Sequence, residues 1–117
     1  MMATKRLASG DVLNVLTDDD DHFTRVYGQT LIKTESLEVA RLLLPAGKHI
    51  AEHQVTGELT LQCLSGAVSL HIAQEERQLN AGDWVFLAGN VRHSLHAQSD
   101  SVLLLSLLLN SKRANAR

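Results

Sequence analysis

Between Gln29 and Asn110 the chain shows no amphipathic helix, and turn signals return about every 8 to 12 residues. That rhythm predicts an all-β sandwich or barrel of short strands, and at 117 residues the chain has length for one domain with a single core. Two strand candidates, over 29–34 and 37–44, are joined by Glu35-Ser36 as a tight turn, and the only proline, Pro45, stops the second. LTLQCLS and AVSLHIA stand at hairpin spacing on either side of Gly66. In the second arm Val68, Leu70 and Ile72 share one face, while Ser69 and His71 take the other, which turns His71 outward. Earlier in the chain, DVLNVL at 11–16 reads as an edge strand. The four aspartates from Asp18 to Asp21 read as a solvated turn, because like charges repel and the spaced oxygen ligands of a calcium loop are missing.

Several strands are apolar on both faces. RLLLP and SVLLLSLLL do not alternate, and Trp84 and Phe86 share a face opposite Val85 and Leu87. One face belongs to the interior; the other needs a cover that no helix of the chain supplies. A bare apolar face of several hundred square ångströms is more than soluble monomers commonly tolerate, so the pattern predicts a homodimer built on outward apolar residues of the N-terminal strands and their neighbouring sheet.

Composition excludes several partners. The net charge of −2 lacks the electrostatic footprint of a nucleic-acid binder, and the basic residues collect at the ends, around Lys5 and Arg6 and in SKRANAR. The longest apolar run, VLLLSLLL, is far short of a membrane span, and MMATKRLASGD lacks the apolar stretch of a secretory signal; the expectation is a cytoplasmic protein with no membrane and no nucleic-acid partner. A single cysteine, Cys63, rules out an internal disulfide and reads as a small buried hydrophobe in mid-strand.

Two stretches carry the chemistry. GKHIAEHQVTGELTLQCLSG, residues 47–66, sets His53 after a glycine turn and before an alternating strand. AGDWVFLAGNVRHSLHA repeats the arrangement with Gly82 and His93. Together they resemble the two signature motifs of the cupin superfamily, small RmlC-like jelly-roll barrels. In the first motif Gly47, His53 and Gly66 fall in register, while Val55 stands where the family has a second histidine and Leu59 where it has a glutamate. In the second, Gly82 and His93 match, with Ala88 and Asn90 in place of the proline and glycine. The resemblance implies an all-β double-stranded β-helix, or jelly-roll barrel, over 29–110; the residues at either end read as an N-terminal arm and edge strand at 1–28 and a disordered tail at 111–117. The resemblance implies dimers as well.

A catalytic first-row metal usually takes three protein ligands and keeps one position open. The resemblance puts only His53 and His93 at ligand positions, since neither Val55 nor Leu59 can bind a metal. The spare candidates are His49, Glu52, Gln62, Glu58 and His96. On an extended strand His49 shares a face with His53 but lies about 13 Å away, and Glu52 and His96 point away from their neighbouring histidines. With Leu59 inward, Leu61 and Cys63 follow and Gln62 faces out; a one-residue slip near Gly57 would instead bring Glu58 in. The reading is a binding module holding a small molecule against Val55, Leu59 and Leu61, with His53 and His93 as polar anchors. Its alternative is a metal-dependent enzyme of dioxygenase or isomerase type, in which the same two histidines hold iron, manganese, nickel or zinc. A metal-free epimerase would need an acid and a base across a sugar, with Tyr27 the only tyrosine, and a transcription-factor role lacks room for a helix-turn-helix.

Overall fold

The computed structural model describes residues 6–16 and 27–109, and the aspartate run 18–21 and the tail 111–117 lie outside them. Nine strands follow in order: β1 Tyr27–Lys33, β2 Leu37–Leu44, β3 His49–His53, β4 Leu59–Ser65, β5 Ala67–Ile72, β6 Glu75–Asn80, β7 Trp84–Leu87, β8 His93–Ala97 and β9 Ser101–Leu108. They form two antiparallel sheets, one in the order β1-β2-β9-β4-β7 and the other β3-β8-β5-β6. Two antiparallel sheets with no helix among the described residues make a jelly roll of the expected class. No helix among those residues is long and apolar enough to cross a membrane.

Alternation decides which side chains enter the space between the sheets. Leu59, Leu61 and Cys63 of β4 point inward at 5%, 2% and 0% exposure, while Thr60 and Gln62 face out half-buried. They meet Val68 and Leu70 of β5, Leu95 and Ala97 of β8 and Leu103 of β9 in one continuous core. Each fully buried leucine contributes roughly 1.5–3 kcal/mol of apolar transfer, so this layer is the main force closing the two sheets on each other.

Three expectations change. The first is the hairpin at Gly66. β4 pairs with β7 and β9, whereas β5 pairs with β6 and β8, so Gly66 turns the chain from one sheet into the other. Its φ of 89° and the tight approach of Ser101 Oγ and Asp100 O, which any Cβ would meet, fit a corner where only glycine has room. Secondly, residues 11–16 form no strand. Ala8 and Asp11 close a turn, with Asp11 N–H donating to Ala8 O at 2.9 Å, and Val12 and Leu16 stay exposed. A patch with polar Asn14 at its centre offers too little apolar face to hold a ladder.

The third change concerns the outer face of the five-stranded sheet, where Arg41 and Leu43 point away from the core yet are each 1% exposed. Arg41 reaches Gln29 Oε1 through Nε at 3.1 Å and Nη2 at 2.7 Å, and Val15 O through Nη1 at 3.2 Å. Part of the apolar second face is thus closed within the chain by its N-terminal segment. At the opposite edge Trp84 and Phe86 remain 59% and 49% exposed.

Candidate functional site

β3 and β8 lie side by side and carry one histidine each. Their register breaks: His49 stands opposite His96, Ile50 opposite Leu95, and His53 opposite His93. Ala51 and Glu52 together therefore oppose the single Ser94, a β-bulge that shifts the alternation of β3 by one. The consequence is that Ile50 and His53 enter the same side despite their odd separation. His49 goes to the outer surface beside exposed His96, which corrects the expectation that it shares a face with His53. Glu52 is exposed as expected and lies 3.6 Å from the Arg92 guanidinium. His71 also faces outward as expected, 3.6 Å from the carboxylate of its cross-strand neighbour Glu76.

The two inward histidines meet. Their ring centroids are 4.5 Å apart, with the planes tilted by 54°. His93 is 6% exposed, while His53 sits at the solvent side. Each ring is held by a backbone carbonyl two residues earlier on its own chain segment: His93 Nδ1 to Val91 O at 2.9 Å, His53 Nδ1 to Ala51 O at 3.2 Å. A carbonyl oxygen only accepts, so the proton of each bond is on Nδ1. Among the described residues neither Nε2 has a protein partner.

Both rings border a cavity of about 190 Å³ inside the barrel. Its other walls are apolar: Leu42, Ile50, Val55, Leu59, Leu61, Leu95, Leu105 and Leu107. All five residues singled out from the sequence, His53, His93, Val55, Leu59 and Leu61, line this one space. Leu59 pairs with Leu87 and Leu107 and is buried, so the register that keeps Glu58 outside is the one adopted. Leu42, Ile50, Leu95, Leu105 and Leu107 were not foreseen as lining residues. The leucine-rich run of β9, interrupted by Ser106, carried a signal for two of them, whereas Ile50 depends on the bulge.

Asn90 ties the two motif loops together. It takes a left-handed conformation, φ 66°, and its N–H donates to Val55 O at 2.7 Å. This is the position where the resembled family has glycine, and asparagine is among the few other residues that accept such a backbone readily.

The donor set does not fit a resident catalytic metal. Among the described residues no three histidine, cysteine or carboxylate side chains are grouped so as to hold an ion. Two neutral imidazoles leave a dication short of ligands and of balancing charge.

No family model matches the chain, and no curated protein matches it. Solved structures do. A cupin superfamily protein from Desulfitobacterium hafniense DCB-2 superposes with a TM-score of 0.80 at 14% identity, over 91% of this chain and 97% of that one. KdgF from Halomonas sp. gives 0.71 at 19%, over 84% and 91%. A point mutant of salicylate 1,2-dioxygenase from Pseudoaminobacter salicylatoxidans gives 0.70 at 19%, over 78% of this chain and 28% of that one.

Proposed function

Taking the cupin fold as its scaffold, we propose that the chain binds a small molecule in the barrel cavity, with His53 and His93 as the polar anchors. The observation that carries this is the state of His93. It is almost fully buried, oriented by Val91, and left with an Nε2 that no described protein group satisfies. An unsatisfied buried polar atom costs about 1–3 kcal/mol. A ligand that pairs with it recovers that cost, and Val55, Leu59 and Leu61 supply the apolar contact around it.

One observation favours the metal-dependent alternative. Histidines that ligate metals commonly donate their second N–H to a backbone carbonyl, as both rings do here. Against it stand Val55 and Leu59, which fill with hydrocarbon the two places where the family has a histidine and a glutamate. Elemental analysis of the protein as purified tests the choice. The expected result is metal well below one equivalent. Near-stoichiometric iron, manganese, nickel or zinc, lost in a His53→Leu variant, would transfer the reading to the enzyme.

A further inference from the structure

We propose that the outer face of the smaller sheet carries a site for an exchangeable transition-metal dication such as Cu2+, held by His49 of β3 and His96 of β8. Both rings lie on the face away from the cavity, so the site is independent of the binding reading above.

Register brings the two rings together. His49 and His96 are direct cross-strand partners, and both are exposed on the face opposite the cavity residues Ile50 and Leu95. Directly opposed residues of an antiparallel pair hold their Cβ atoms about 4.5–5.5 Å apart. From there one nitrogen of each ring can reach a common ion at about 2.0–2.1 Å, the ordinary length of a bond from imidazole to such a metal. Nothing described holds the rings elsewhere. Among the described residues neither makes a hydrogen bond or an ion pair, in contrast to His71 beside Glu76 and to His53 and His93, which backbone carbonyls hold. On its far side His96 has Ser69 as its neighbour, a side chain too small to crowd the ring.

Donor chemistry sets the class of ion. Imidazole suits copper, nickel and zinc, whereas magnesium and calcium take oxygen donors. Among the described residues no third histidine, cysteine or carboxylate is grouped with the pair, so water completes the shell. A sheet face open to solvent allows that. The cavity pair is walled by hydrocarbon instead, and a dication there would give up its water for two ligands. Two protein ligands make a weak site from which the metal exchanges, and of the divalent ions copper binds such nitrogen donors most strongly. An ion held there ties β3, an edge strand whose ladder is broken by the bulge, to its neighbour β8.

Copper ions alone are the probe. The full chain, stripped with a chelator and dialysed into a non-coordinating buffer at mildly alkaline pH, is titrated with Cu2+, whose unpaired electron broadens the amide resonances around it. Broadening is expected first at Lys48, Ile50, Leu95 and Ala97, which flank the pair. His49→Ala and His96→Ala, both at exposed positions, should each weaken that binding at least about tenfold. If either substitution leaves the affinity unchanged, the other ring binds alone and the two-histidine site falls. Broadening centred on Val55 and Leu61 would move the ion to the cavity, and broadening confined to residues outside β3 and β8 would move it elsewhere; both overturn the proposal, as does a spectrum that copper leaves unchanged.

Discussion

Arg41 and Gln29 face each other across the β1–β2 pair, the guanidinium donating to Oε1 from Nε at 3.1 Å and from Nη2 at 2.7 Å, with Arg41 only 1% exposed. Hydrogen bonds to a charged group are worth roughly 1.5–3 kcal/mol, and removing Oε1 takes two of them from a buried guanidinium. Gln29→Ala is therefore expected to destabilise the protein by about 1.5–3 kcal/mol in urea unfolding at unchanged slope. A loss under about 0.5 kcal/mol would mean that water replaces Oε1.

At Asn90 the backbone itself makes the prediction. A left-handed residue with a Cβ costs about 1–2 kcal/mol unless asparagine or glycine stands there. Asn90→Gly should be close to neutral, and Asn90→Ala should lose about 1 kcal/mol while loosening the bond to Val55 O. Equal stability of the two variants would show that the loop adopts another conformation.

Burial pushes the Cys63 thiol up, and the nearby Asp83 carboxylate adds to the shift. The folded state thus favours the neutral thiol more than the unfolded state does. Its contribution is fully present below the unfolded thiol's value and is lost as pH rises through the higher folded one. The stability gap between the protein and Cys63→Ala should accordingly narrow in the alkaline range, measured as midpoint differences on a pH series. A gap that widens with pH would reverse the sign and refute the shift.

Trp84 and Phe86 stand outward on β7, an edge strand, beside Gln62 and Thr60 of β4. With the N-terminal segment at the far side of the sheet, this end is the one that pairing between copies would cover. Sedimentation equilibrium should give twice the 12.8 kDa chain mass, and Trp84→Lys together with Phe86→Lys should halve it. A wild-type monomer at low micromolar concentration would sink the dimer.

Much of this was legible in the chain. The bounds of β2 follow from Pro45 and the turn at 35–36, and the inward set Leu59, Leu61 and Cys63 follows from alternation alone. What local reading misses is what distant strands decide. Ala51 and Glu52 look like ordinary strand residues, and only pairing with β8 turns them into a bulge that sends His49 outward. Gly66 has the left-handed backbone of a hairpin, but β9 and β8 claim its two flanking strands. Arg41 reads as a charge interrupting an apolar run. Its burial depends on Gln29 and on Val15, 26 residues upstream.

Because β9 is seated between β2 and β4, the larger sheet joins strands that lie far apart along the chain. Only β1–β2 and β5–β6 are neighbours both in sequence and in space. A nascent chain can close those two hairpins early, but β2 and β4 have no link until residues 101–108 arrive to bridge them. Closing such long loops is entropically costly and slow, on the order of milliseconds to seconds for topologies of this kind. Until then the apolar face of β4 waits uncovered, and the last of the described strands is the one that ends the wait.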